Sequence, residues 1–288
     1  MRCNAACTFC DYWKTPAEAK EHELASFADA ARYFNPMLVT FTGGEPTLRR
    51  DLEEIVSAVN GAVRLKYMTM ITHGAMLSPE RAKSLWDAGV NQINISLDYL
   101  DERHDIARGI PGLTAKIFRN VPRMRELGID NIRFNTVIKD DNFDQLMPIV
   151  RRATELGCGV NFSVYTDAKN GNREHLIRDG QFEQVDAVVA ELLAFKRRRR
   201  GVITNSDYYL EQIPRYVRGE MTEPCQSGIS TIHISPTGHV RRCPDFPTDF
   251  HWSEFRAYKP IECNACYYAC RGEAQAPLRL SRVRDVMA

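Results

Sequence analysis

Between residues 37 and 165, short β-branched runs alternate with stretches in which apolar residues recur every three or four positions. The runs "MLVTFT" (37–42), "YMTMIT" (67–72), "NQINISL" (91–97), "NIRFNTVI" (131–138) and "VNFSVY" (160–165) have the length and composition of strands. Leu52, Ile55, Val56 and Val59 keep the spacing of one buried helical face. "SPERAKSLWDAG" supplies Ser78 as N-cap, Pro79 for the first turn and Gly89 as a stop, while Gly128 and Gly157 end two further helices. The strand spacing is that of βα units, which predicts a mostly parallel sheet.

Five such units make either an open doubly wound sheet or a partial barrel. A nucleotide-binding doubly wound sheet wants a G-x-G-x-x-G turn after its first strand, and the sequence has none. The strand ends carry "TGGEP", "THG" and "SLD" instead, and in a barrel these would share one mouth, where sites are built. From about Asp167 the pattern predicts one long helix, and after Gly201 a turn-rich segment with cysteines. Two domains are expected, 1–200 and 201–288.

Composition narrows the function. Of 288 residues, 44% are hydrophobic and 26% charged, which excludes a disordered chain, and the net charge of +1 gives no field toward nucleic acid or membrane. "KRRRR" at 196–200 follows "VDAVVAELLAF", so its cations suit a helix C-terminus better than an RNA-binding patch. No apolar run reaches the roughly 18 to 20 residues of a membrane span, and the start lacks a signal-peptide core. A cytoplasmic protein is expected.

The nine cysteines are clustered, which in a reducing compartment argues for metal over disulfides. Cys158 stands alone and reads as a small buried apolar residue. Cys3, Cys7 and Cys10 place three thiolates on a short loop, one fewer than a closed zinc site or a four-cysteine 4Fe-4S site. On a cubane, three ligands leave one iron open; a zinc site with a distant fourth ligand is the alternative.

"RCNAACTFC", with Phe9 as its aromatic, and "FTGGEPTLRRDL" about thirty residues later together resemble the radical S-adenosylmethionine (radical SAM) superfamily over residues 1 to roughly 200. The resemblance implies a partial (β/α)6 TIM-like barrel. It implies a 4Fe-4S cluster on Cys3, Cys7 and Cys10, with S-adenosylmethionine chelating the open iron. Gly43, Gly44, Glu45 and Pro46 would then hold the cosubstrate's amino group. Thr72 would lie beside the cosubstrate, Ser96 and Asp98 on its ribose side, Arg108 at its carboxylate and Asn135 near ribose or adenine. His104 is given a structural role. The implied chemistry is reductive cleavage to a 5'-deoxyadenosyl radical, fed by a low-potential donor such as flavodoxin or ferredoxin.

In the tail, Cys225, Gly238 and Cys243 resemble the first half of SPASM/Twitch auxiliary-cluster domains, with a hairpin turning at 236–238. Cys263, Cys266 and Cys270 add a C-x2-C-x3-C. Five cysteines cannot fully ligate two clusters, so one auxiliary 4Fe-4S cluster is expected on Cys225, Cys243, Cys263 and either Cys266 or Cys270; a structural zinc is the alternative. The function implied is an oxidoreductase or maturase acting on a peptide or a small molecule. Its rivals are a metal-stapled binding or electron-transfer protein and an RNA-modifying enzyme. In the family a first barrel strand runs into "T-x-R-C-N"; Met1 is expected at the x, with that strand missing and the native start upstream.

Overall fold

The computed structural model describes residues 2–14, 24–220, 223–247 and 249–277; Met1 lies outside them. Five parallel strands form one sheet in the order β1 (Leu38–Phe41), β2 (Tyr67–Thr72), β3 (Gln92–Ser96), β4 (Ile132–Ile138) and β5 (Gly159–Val164). The helices on its outer face are α1 (Leu24–Phe34), α2 (Leu52–Ala62), α3 (Pro79–Ala88), α5 (Leu113–Glu126), α6 (Phe143–Glu155) and α7 (Phe182–Arg198), while the short α4 (Glu102–Arg108) packs on the cysteine loop. This is the α/β partial barrel that the alternating pattern and the motifs imply.

The two faces of the sheet differ in chemistry. Met68, Met70, Ile93, Ile95, Phe134, Val160 and Phe162 point outward and pack with Val56, Leu85, Val121 and Ile149 of the helices in one core. Strand alternation then turns Thr69, Gln92, Asn94, Ser96, Asn135 and Asn161 to the inner face. There Gln92 Nε2 donates to Asn94 Oδ1 at 2.7 Å and Asn161 Nδ2 to Asn135 Oδ1 at 2.7 Å. A polar barrel interior suits a polar ligand. Cys158 is buried in the apolar layer, as its surroundings in the sequence suggest.

Helix ends follow their local chemistry. Ser78 Oγ accepts from Arg81 N at 3.1 Å, and Gly89 closes α3 at φ 125°. Three features depart from the sequence expectations. Residues 167–178 are turns, not the start of the long helix, because Asn170 and Asn172 side chains accept from Asn172 N (3.1 Å) and Glu174 N (2.8 Å) and compete with helical bonding. Residues 202–204 add a short parallel stretch to β5, with Val160 N donating to Val202 O at 2.7 Å, so the sheet runs on past Gly201. Lys196 of the basic run is buried, donating to Asn205 O at 2.6 Å beside Asp207, while Arg197 to Arg200 are exposed at the end of α7.

The tail contains α8 (Asp207–Val217), α9 (Ala269–Gln275) and a small antiparallel sheet of β6 (His233–Ile234), β7 (His239–Arg241) and β8 (Phe250–His251). Its hairpin turns at Gly238, φ 76°, as the sequence predicts. One end of the tail is fastened to β5, and within the tail α8 packs on the approach to α9. Thr166 Oγ1 donates to Ala265 O at 2.6 Å, Ala269 N to Ser163 Oγ at 3.1 Å, and the Tyr209 and Tyr267 rings stack at 4.7 Å. The other end meets α1, where Phe34 packs edge-on to Phe255 at 4.9 Å and Tyr33 lies 5.9 Å from Trp252. The tail therefore reaches both sides of the open sheet. Among the described residues β1 pairs only with β2, and Leu38 is 58% exposed. No helix of the described residues is long and apolar enough to cross a membrane.

Candidate active site at the strand ends

Because the strands are parallel, the turns after β1, β2, β3, β4 and β5 gather at one mouth, and the loop bearing Cys3, Cys7 and Cys10 lies across it. Backbone bonds seat that loop: Glu45 N donates to Arg2 O (2.8 Å), Ala6 N to Arg108 O (3.0 Å) and Thr8 N to Ala107 O (3.0 Å). A Cβ at Gly44 would lie far inside van der Waals contact with the carbonyl oxygen of Arg2, so the second glycine is what lets the loop approach. Gly109, at φ 62°, lets the end of α4 meet Ala6 in the same way.

Glu45 is buried, and its carboxylate accepts from Thr47 N (3.0 Å), the Thr47 hydroxyl, Thr72 Oγ1 (2.7 Å) and His73 N (2.9 Å). These donors take up most of the roughly four lone-pair sites of a carboxylate, so Glu45 here fixes Thr72 and the turn after β2. Ala75 N donates to His73 Nδ1 at 3.1 Å, which places the ring proton on Nε2, 2.9 Å from Asn4 Oδ1. His73 thus ties the β2 turn to the residue following Cys3. Burial lowers its basicity, against the pull of Glu45. Gly43 and Pro46 flank Glu45 in the turn after β1.

A second line of charge runs to Cys7. Asp98, fully buried at the end of β3, accepts from Arg108 Nη2 (2.6 Å) and Val137 N (2.9 Å), and the Arg108 charge in turn acts on Cys7. Burial works to raise the Asp98 carboxyl, but Arg108, Lys139 and His104 outweigh it and hold it below its ordinary value. Burial raises the Cys7 thiol, with Arg108 opposing. Burial also raises Cys3, and Cys7, Glu45 and Cys10 add to it. Phe9 is buried with the Arg108 guanidinium 4.9 Å and the Lys139 ammonium 4.6 Å from its ring centre. His104 Nδ1 accepts from Asp98 N at 3.2 Å, its Nε2 has no partner among the described residues, and burial pushes its pKa down to about 4. Ser96 is buried at the end of β3, and Asn135 is half-buried on the inner face.

The structure adds residues that no motif marks. Lys139, wholly buried, donates to Tyr99 Oη at 2.7 Å, and Tyr99 donates to Asp141. Lys169 Nζ lies 3.6 Å from Cys10 Sγ, and His175 meets Phe9 edge-on at 6.1 Å. Lys139 directly follows β4, and Lys169 and His175 lie in the segment after β5; position after a strand is the one signal in the sequence that could have singled them out.

Cys225, Cys243, Cys263, Cys266 and Cys270 line one cavity of about 210 Å³ together with Arg271. Burial pushes Cys266 up to about 12 and Cys270 up to about 11. Cys270 is further raised by Cys243 and Cys225, and Cys266 by Cys270. Cys270 has accessible surface, yet its thiol is packed, so it opens onto the cavity. Both donor sets suit iron–sulfur chemistry: three neighbouring thiols on one loop at the mouth, and five around a closed space.

A family model described as the radical SAM superfamily matches residues 1–153. GTP 3',8-cyclase of Aquifex aeolicus is 26% identical over 84% of this chain and 78% of its own length. The probable GTP 3',8-cyclase of Thermoplasma volcanium is 30% identical over 84% and 76%. AdoMet-dependent heme synthase of Nitratidesulfovibrio vulgaris is 25% identical over 94% and 85%. Among solved structures, anSMEcpe with bound AdoMet and the Cp18Cys peptide is similar at TM-score 0.65 and 19% identity, over 88% of this chain and 75% of that one. SuiB of Streptococcus suis bound to S-adenosylmethionine gives 0.69 and 15%, over 88% and 62%. These two show the shared fold.

Proposed function

The chain belongs to the radical SAM superfamily, and from that premise we propose that it is an oxidoreductase or maturase taking a hydrogen atom from a peptide or small-molecule substrate at the barrel mouth. The observation that carries this is the seating of Cys3, Cys7 and Cys10 by backbone bonds to Glu45, Ala107 and Arg108, above a polar barrel interior. When bound, a 4Fe-4S cluster and S-adenosylmethionine supply a hydrogen-abstracting radical by reductive cleavage of the sulfonium.

The chain's own part is to hold and orient. Cys3, Cys7 and Cys10 would ligate as thiolates, and Arg108 favours the charged form of Cys7. Asp98 fixes Arg108, while Glu45 and His73 fix the turns that Gly43, Gly44, Pro46 and Thr72 bring to the cosubstrate. Ser96 and Asn135 offer polar contacts on the inner face. Phe9 and the strand-end side chains exclude water. Residues 1–200 carry this chemistry, and 201–288 an auxiliary 4Fe-4S cluster on four of the five tail cysteines. A flavodoxin- or ferredoxin-like donor would supply the electron, as befits a cytoplasmic setting.

A peptide substrate draws support from the similar fold whose structure holds a peptide, and a nucleotide from relatives named for GTP. The near-neutral charge gives no support to an RNA substrate. Anaerobic reconstitution, dithionite and S-adenosylmethionine should yield 5'-deoxyadenosine, falling to background in Cys7→Ala. Its absence from a wild-type chain with an intact cluster would leave a metal-stapled electron-transfer protein instead. Stimulation of product by GTP or by a peptide separates the two substrate classes.

A further inference from the structure

We propose that Lys169 sets the reduction potential of the cluster held by Cys3, Cys7 and Cys10, an inference that rests on the cluster reading above. Lys169 follows β5 in the turn segment 167–178. Its ammonium stands 3.6 Å from Cys10 Sγ, within hydrogen-bond range for sulfur. It is held there rather than free to wander: the Tyr12 ring centre is 3.3 Å from Nζ, a cation–π contact to a residue two positions beyond Cys10.

The segment carrying it is anchored on its other side. Thr166 Oγ1 donates to Ala265 O and accepts from Ala168 N at 3.1 Å, and Ala168 lines the cavity of the five tail cysteines. Lys169 thus follows directly in sequence on a residue that lines the tail-cysteine cavity, while its ammonium stands at Cys10.

Reduction adds an electron, and so negative charge, to a cluster already bearing thiolates. A cation and a donor on a ligand sulfur stabilise that added charge and raise the potential, since charge and hydrogen bonds to sulfur are the protein's main controls on it. Lys169 would do this at Cys10, where its ammonium stands 3.6 Å from the sulfur.

The test is an EPR-monitored redox titration of the reconstituted full chain, with iron content and circular dichroism as controls. Lys169→Met keeps the aliphatic stem and removes charge and donor. It should lower the potential enough to cut the ratio of reduced to oxidised cluster at a fixed poise about tenfold, or about 59 mV for one electron. Lys169→Arg should recover most of the shift, which mere space filling would not do. If Lys169→Met fails to hold iron, Lys169→Gln, with a neutral donor, is titrated in its place. An unchanged potential in a cluster-bearing variant overturns the inference and leaves the cluster reading standing. Failure of the wild type to assemble a cluster overturns both.

Discussion

Gly44 is the residue where sequence motif and geometry meet most directly. A methyl group there has nowhere to go but into the Arg2 carbonyl, and backbone cannot swing aside as a side chain would. Gly44→Ala should therefore leave the helices and sheet intact by circular dichroism, at a stability cost of about 1–3 kcal/mol. Iron bound per chain after reconstitution should fall markedly, because the loop carrying Cys3 is displaced. Glu45 teaches a different lesson. The motif marks Glu45 for the cosubstrate's amino group, and in the fold its carboxylate also accepts from Thr47, Thr72 and His73. Nothing in the local string "GGEP" announces partners 27 and 28 residues away.

At the scale of elements, β1 to β5 and the hairpin at Gly238 were legible because each is decided locally, by β-branched runs and turn glycines. The two asparagines that break residues 167–178 were equally local, but a helical pattern downstream masked them. What could not be read was convergence: Lys139 from the loop after β4, and Lys169 and His175 from the segment after β5, meet around the cysteine loop only once the sheet has curled. The same holds for Thr166, whose buried hydroxyl joins the end of β5 to a residue 99 positions away. Thr166→Val keeps the shape and removes the hydroxyl that joins Ala265 O to Ala168 N, while Tyr216 Oη still donates to Ala265 O at 3.2 Å, so the cost should be about 1 kcal/mol. Hydrogen exchange should then quicken in residues 263–275 while β2, β3 and β4 keep their protection.

For the molecule as a whole, the fold holds a histidine neutral where solvent would charge it. His104, at about 4 when folded against an ordinary 6.5, is refused a proton that the unfolded chain accepts. Stability is therefore full above about pH 6.5 and is lost as pH falls through the window down to about 4, by up to about 1.4 kcal/mol per unit. His73, also lowered by burial, acts in the same direction. Urea titrations of the iron-free chain at pH 7 and pH 5 should show this loss, and His104→Gln should lessen it. The tail's grip on both sides of the sheet, at Thr166 and Ser163 on one flank and at Tyr33 and Phe34 on the other, also bears on the order of assembly. During synthesis, at about 5–20 residues per second, the hundred or so residues from β5 to α9 take about 5 to 20 seconds to follow. For that interval the cysteine loop lies over a barrel not yet walled in, which leaves an interval for delivery of iron and sulfide before the last helix docks.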